Sequence, residues 1–213
     1  MNPAIADLRQ DYKLHALLEV DANPDPIVQF QSWFDGAVTA QLPEPNAMTI
    51  ATATPDGIPS ARVVLLKGLD DRGFVFFTNY DSHKGQELQT NPHAALVFLW
   101  TELERQVRIQ GTVERIAAAE SDEYYYSRPA GSRLGAWASA QSQVIADRTV
   151  LETRLAQLQT EYPNGDIARP SHWGGFRVVP TLIEFWQGRS SRLHDRLRYQ
   201  KVDKGWTIDR LSP

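Results

Sequence analysis

The stretch WQGRSSRLHDRLR at 186–198 gathers Arg189, Arg192, Arg196, Arg198 and His194 beside Trp186, in a chain whose net charge is −4. Positive charge concentrated next to an aromatic ring in an acidic protein suits a flat anionic ligand, although a solvated basic face has the same pattern. A second set begins with Arg62 and Lys67, which bracket the apolar run of RVVLLK. Residues five apart point to opposite faces of a regular strand. Both therefore reach one site only across a bulge or twist, and otherwise they mark the strand's two ends. Another apolar run ends at Phe77-Thr78-Asn79, and Ser82-His83-Lys84 follow. Hydroxyl, imidazole and ammonium groups at a strand-to-helix corner can cradle a phosphate if Lys84 opens a helix with free N–H groups. A solvated loop is the competing reading.

Polar groups of another kind accompany these cations. Gln106 lies within an alternating segment, and Gln141-Ser142 follow the tryptophan-bearing GAWAS. Amides offer both a donor and an acceptor, so they can read the edge of a heterocycle, yet isolated ones are more often surface polars. Tyr124, Tyr125, Tyr126, Arg128 and Ser132 form a further candidate anion cup, or else aromatic packing around a helix end. Other chemistries find little support. The five histidines show no metal-ligand spacing, and no metal is expected. Cysteine is absent, which excludes disulfides and thiol nucleophiles. No GxSxG elbow is present, and Asp195 beside His194 makes no triad because adjacent strand residues face opposite ways. Chemistry carried by a bound cofactor fits better than a nucleophile of the protein's own.

These residues need elements to position them. Apolar positions Ile27, Phe30, Phe34 and Val38 predict a helix from Pro26 to about 42, and a short helix is conceivable at about 5–18. Strands are expected at 48–54, 61–69, 73–79, 94–100 and 105–116, with turn chemistry in PDG (55–57) and DDRG (70–73). A helix over 117–129, ended by Pro129, precedes a longer one striped by Leu151, Leu155, Leu158 and Tyr162. The chain closes with strands in FRVVPTLIEFW, RLHDRLRYQK and WTIDRLSP. Strands, inserted helices and strands again make an α+β class with one main antiparallel sheet, and nothing suggests a dinucleotide or P-loop fold.

Taken in order, RVVLLK (62–67), FFTN with SHK (76–84), LERQVRIQG (103–111), YYSRP (125–129) and GAWAS with QS (135–142) carry a resemblance, continued by WGGFRV (173–178), IEFWQG (183–188) and RLHDR with Tyr199 (192–199). From about residue 8 to the C-terminus the chain resembles the pyridoxine/pyridoxamine 5′-phosphate oxidases. That resemblance implies an FMN-binding split β-barrel with peripheral helices, one domain over 1–213, forming a homodimer with FMN at the subunit interface. It also implies oxidation of pyridoxamine 5′-phosphate or pyridoxine 5′-phosphate to pyridoxal 5′-phosphate. Dioxygen is the acceptor, yielding hydrogen peroxide, and the amine also releases ammonia.

The resemblance assigns roles as well. Arg62 and Lys84 would bind the FMN phosphate, with Thr78 and the 82–84 turn, including His83, completing the cup. Val63, Leu65, Lys67 and Phe77 belong to the same cofactor set. Gln106, Gln141 and Ser142 would meet the flavin's polar parts, and Trp186 and Arg196 would flank its rings. Lys67, Tyr124, Arg128 and Ser132 would grip the substrate phosphate. Arg192 and His194, the catalytic pair, would orient C4′ toward flavin N5, leaving Arg189 and Arg198 as solvated charges. Arg9 and Tyr12 match an element that can fold over the substrate, while a mobile arm over 1–23 is the alternative.

Two departures stand out. His83 replaces an arginine common in the family, which predicts weaker FMN binding as pH rises through imidazole titration. Phe77 keeps a ring where some relatives carry tyrosine. Within flavoproteins an FMN reductase is the rival reading, and outside enzymes a flavin or pyridoxal-phosphate carrier. Net charge and the absence of a 20-residue apolar run lead us to expect no nucleic-acid or membrane partner. The first twenty residues lack the basic-then-apolar pattern of a signal peptide, so a cytoplasmic protein is expected.

Overall fold

The computed structural model describes residues 7, 8 and 10–213. Nine strands and five α-helices are present among them. The strands are β1 (Ala47–Ala53), β2 (Pro59–Leu65), β3 (Gly68–Asp70), β4 (Gly73–Asn79), β5 (His93–Trp100), β6 (Arg105–Arg115), β7 (Trp173–Gln187), β8 (Asp195–Val202) and β9 (Gly205–Arg210). The helices are α1 (Pro26–Thr39), α2 (His83–Thr90), α3 (Ala118–Ser127), α4 (Ala130–Ala138) and α5 (Thr149–Glu161). The strands pair in the order β2-β1-β5-β6-β7-β4-β3, with β8 on β7 and β9 on β8. No helix among the described residues is long and apolar enough to cross a membrane.

The chain forms two compact units. The first contains residues up to 50 together with 95–111 and 180–213. Its helix α1 starts where Asp25 accepts a hydrogen bond from the Ile27 N–H and Pro26 occupies the first turn, a position that needs no donor. The stripe it buries is Phe30, Trp33 and Ala37; Val38, expected inside, is exposed. Phe30 packs edge-on against Phe98 at 4.9 Å and Trp33 against Phe185 at 5.2 Å. Burying an aromatic side chain of this size contributes about 1.5–3 kcal/mol. On β6, Val107 and Ile109 are buried and Gln110 exposed, as the alternation predicts.

The second unit contains residues 51–94 and 112–179. Strands β4 and β7 pair antiparallel, Phe76 opposite Phe176 and Thr78 opposite Gly174. Leu134, Leu158 and Ile167 make a small cluster under α4 and α5, with Leu155 and Tyr162 packed against it.

Four sequence expectations are corrected. Residues 10–18 form no helix; they run without regular secondary structure into a single 3-10 turn at Glu19–Asp21. The strand expected over 61–69 is two strands, β2 and β3, with Leu66-Lys67 between them. Helix α4 lies where the sequence gives no helix expectation; Pro129, read as the end of the preceding helix, sits just before the first turn of α4, where proline is harmless. The strand expected from 192 begins only at Asp195, after a 3-10 turn over Ser190–Arg192.

Candidate functional site

In the second unit, β4 delivers Thr78 and the α2 terminus delivers Lys84. Ser82 caps that helix, its hydroxyl accepting from the Gly85 N–H at 3.3 Å. Lys84, only 7% exposed, donates from Nζ to Thr78 Oγ1 at 2.9 Å. Burial and the positive charge of Arg62 together pull its ammonium down to about 8. An ammonium so placed gains from any anion that joins it. Arg62 enters from β2, its Nη1 donating to Thr52 Oγ1 and its Nη2 to Ser60 Oγ, both at 2.5 Å. Behind these hydroxyls lies the carboxylate of Glu87, which is 4% exposed.

Arg62, Thr78 and Lys84 line a cavity of about 310 Å³ together with Val63, Leu65, Lys67, Phe77, Tyr124, Arg128, Gln141 and Trp173. One wall is aromatic: Phe77 stacks on Tyr124 at 4.0 Å and on Trp173 at 5.4 Å. Arg128 lies 4.6 Å over the Trp173 ring, and its buried Nη1 has no hydrogen-bond partner. A buried guanidinium N–H without an acceptor is a place for a ligand oxygen. Gln141 reaches in from the loop after α4, its Oε1 accepting from Thr78 Oγ1 at 3.3 Å. The break at Leu66-Lys67 resolves the strand-parity problem, since Arg62 and Lys67 line the same cavity. A neighbouring cavity of about 350 Å³ shares Lys67, Phe77 and Tyr124 and extends to Arg177. The Arg177 charge is already matched by Asp70 at 3.0 Å and Glu120 at 3.4 Å.

In the first unit, Tyr12, Arg189, Arg192 and His194 line a broad basin of about 880 Å³. Arg192 is exposed, and both it and Ser191 hold left-handed backbone, with φ of 62° and 56°. Such conformations cost non-glycine residues energy and cluster at sites of function. His194 Nδ1 accepts from the Arg189 N–H at 3.1 Å, which requires a neutral ring with its proton on Nε2. Burial and the Arg192 charge both lower its pKa, consistent with that tautomer. Trp186 lies 4.6 Å from the His194 ring, and Tyr12 meets Trp186 edge-on at 5.8 Å. Tyr12 rests on Gly188, where an added Cβ would come within 2.7 Å of the tyrosine ring.

The segment carrying Tyr12 is tied down along its length. Leu14 N–H donates to Glu104 at 3.0 Å and Leu17 N–H to Asp195 at 3.1 Å. Arg210 holds the Leu17 carbonyl and the Glu19 carboxylate. Arg9 lies outside the described residues.

The remaining candidates are placed less centrally. Arg196 directs Nε to Glu184 at 2.8 Å and Nη1 to the Ser212 carbonyl at 2.8 Å. Gln106 is half-buried on β6 and Ser132 half-buried on α4, while Ser142 is exposed with φ of 70°. His83 is exposed, its Nε2 3.7 Å from Glu87. None of these five is among the residues lining the 310 Å³ cavity. Sequence reasoning missed Trp173, Asn79 and the Thr52–Ser60–Glu87 set behind Arg62. Thr52 did carry a signal, being a polar residue at an inward position of an alternating strand.

A family model described as pyridoxamine 5′-phosphate oxidase matches residues 34–162. One described as the pyridoxine 5′-phosphate oxidase C-terminal dimerisation region matches residues 173–213. The chain is 66% identical to the pyridoxine/pyridoxamine 5′-phosphate oxidase of Trichormus variabilis and 64% identical to that of Nostoc sp., with 100% of each chain covered. The crystal structure of PhzG from Burkholderia lata 383, in complex with tetrahydrophenazine-1-carboxylic acid, aligns with a TM-score of 0.88 at 33% identity, covering 94% of this chain and 99% of that one. The fold is thus the α+β split barrel.

Proposed function

The chain belongs to the pyridoxamine 5′-phosphate oxidase family, and from that premise we propose that it oxidises pyridoxamine 5′-phosphate or pyridoxine 5′-phosphate to pyridoxal 5′-phosphate. Dioxygen is reduced to hydrogen peroxide; the amine substrate also consumes water and releases ammonia. FMN, when bound, supplies the redox chemistry by taking hydride from C4′ and passing the electrons to dioxygen. The observation that carries this reading is one cavity lined by four cations, Arg62, Lys67, Lys84 and Arg128, beside a stacked aromatic wall. Two separate phosphates, one of the cofactor and one of the substrate, account for so much positive charge.

On this reading Arg62, Lys84 and Thr78 hold the FMN phosphate, and the first N–H groups of α2 add to the cup. Val63, Leu65 and Phe77 give the flavin apolar contact; Gln106, Gln141 and Ser142 meet its polar edge, with His83 at the rim of the phosphate cup. Lys67, Tyr124, Arg128 and Ser132 take the substrate phosphate, where the unpartnered Arg128 Nη1 finds its acceptor. Arg192 and His194 orient the pyridine ring. Because His194 Nδ1 already accepts from Arg189, the imidazole meets the substrate as an Nε2–H donor. Trp186 and Arg196 flank the flavin, Glu184 fixing the Arg196 guanidinium. Tyr12 closes over the substrate and excludes water. The match of residues 173–213 to a dimerisation region supports a homodimer, and we place FMN at its interface.

The test is spectroscopic. Protein reconstituted with FMN and mixed anaerobically with pyridoxamine 5′-phosphate should bleach its flavin absorbance. Admitting air should restore the band and yield pyridoxal 5′-phosphate. A bound flavin that never bleaches would move the function to a reductase or a carrier.

A further inference from the structure

Glu87 is a buried carboxylate beside a cup of cations, and on electrostatic grounds it is misplaced. A negative charge next to an anion site opposes binding. Its contacts explain its presence. Thr52 donates its hydroxyl to Glu87 Oε2 at 2.5 Å, and Ser60 donates to Oε1 at 2.9 Å. These are the two hydroxyls that accept from Arg62 Nη1 and Nη2. Each arm of the guanidinium therefore reaches the same carboxylate through one hydroxyl, and Arg62 Nη2 also lies 3.5 Å from Oε2 directly. Guanidinium has five N–H donors, so those fixed inward leave the others to face an anion in a set orientation. The hydroxyls are oriented in turn, because a carboxylate only accepts. Burial by itself would raise the Glu87 carboxyl, but the Thr52 and Ser60 hydrogen bonds, with the His83 and Arg62 charges, hold it below its ordinary range. One turn earlier on α2, His83 Nε2 sits 3.7 Å from the same carboxylate, so both flanks of the cup lean on one residue.

We propose that Glu87 is a positioning residue of the phosphate cup: through Thr52 and Ser60 it fixes Arg62 in the orientation that grips the cofactor phosphate. The proposal rests on the FMN reading above. Its signature is selectivity for the phosphate, since a group acting through Arg62 affects FMN and not riboflavin, which lacks the phosphate.

The experiment titrates apoprotein with FMN and with riboflavin, following quenching of flavin fluorescence. The variants are Glu87→Gln, Glu87→Ala and Thr52→Val, with Lys84→Ala as a reference. In Glu87→Ala the FMN dissociation constant should rise about tenfold while that for riboflavin stays within about twofold, the size of one lost oriented charge-assisted contact. Glu87→Gln, which keeps one acceptor, should fall between it and the parent. Thr52→Val is close in volume and breaks one arm of the relay, so it should shift FMN in the same direction by a smaller factor, even if Glu87→Ala does not fold. Unchanged or tighter FMN binding in the Glu87 variants would mean that charge repulsion outweighs positioning, and the proposal fails. Equal weakening of FMN and riboflavin would reduce Glu87 to a structural role and overturn it too. If Lys84→Ala also left FMN affinity intact, the phosphate would lie elsewhere, and the failure would belong to the cofactor reading itself.

Discussion

The phosphate cup of the second unit and the Arg192–His194 basin of the first both use cations, but in opposite ways. In the cup the cations are sheltered and braced from behind. Lys84 is almost fully buried, and Arg62 is backed by two hydroxyls and a carboxylate. In the basin Arg192 is exposed, is one of two consecutive left-handed residues, and shares the lining with Asp11, Tyr12 and His194, with no hydroxyl relay or buried carboxylate behind it among the described residues. A braced cation suits a group that stays bound; an exposed one on a strained turn suits a ligand that must enter and leave. If that contrast is sound, damage to the two regions should separate cleanly into loss of cofactor and loss of turnover.

The largest effect belongs to the basin. Arg192→Ala should lower kcat/KM by about 100- to 1,000-fold, the range for removing an oriented charge from a reacting centre. The FMN dissociation constant should stay within about twofold. Steady-state kinetics and a fluorescence titration on one preparation decide it. Parallel loss of both would merge the two regions.

Lys84→Ala should weaken FMN by about 10- to 100-fold, or about 1.5–3 kcal/mol, through one lost charge-assisted contact. The parent should also show an alkaline limb. Free Lys84 titrates at about 8 because burial and Arg62 disfavour its charge, whereas a bound phosphate favours that charge. The bound state then holds more protons above pH 8, so affinity is level below that pH and falls above it by at most about tenfold per unit. Lys84→Arg, which does not titrate, should remove the fall. A decline that persists in that variant would assign it to another group.

Two glycines sharpen the contrast. At Gly85 an added Cβ would overlap the Tyr80 carbonyl, a backbone group that cannot swing away. At Gly188 it would meet Cγ and Cβ of Tyr12 at 2.7 and 2.8 Å, the rooted end of that side chain, so the segment carrying Tyr12 must move. Gly85→Ala should therefore destabilise the protein by about 1–3 kcal/mol and shift the α2 terminus. Gly188→Ala should cost less, about 1–2 kcal/mol, and act on KM by displacing Tyr12. Denaturation midpoints and KM, measured for both variants, check the pair; equal losses of stability would mean that Tyr12 is held as rigidly as backbone.

Legibility followed the same divide. The cup was readable because its parts follow local rules: Ser82 caps a helix, Lys84 lies in that helix's first turn, and Thr78 lies at the end of a short apolar strand. What lay behind it was not, because Thr52, Ser60 and Glu87 meet across 35 residues and nothing in any one segment announces the meeting. Arg62 and Lys67 were undecidable from parity alone until the strand proved to break between them. Around the basin, the strand expected through 192–201 concealed a 3-10 turn, since left-handed φ at serine and arginine leaves no compositional mark. The irregular segment at 10–18 was hidden for a related reason: long-range bonds to Glu104, Asp195 and Arg210 hold it, not any periodicity of its own.

The smallest prediction tests whether that strained turn is used. Ser191→Gly removes the side chain that disfavours φ of 56°. It should leave stability unchanged or raise it by up to about 1 kcal/mol, relief of strain being offset by the entropy of the freer unfolded chain. It should also lower kcat/KM a few-fold, because the loop carrying Arg192 gains conformations in which the guanidinium points elsewhere. A denaturation midpoint and kcat/KM measured together decide the matter. If stability rises while kcat/KM holds, the left-handed pair is a by-product of the path from β7 into β8, and exposure alone distinguishes the basin from the cup.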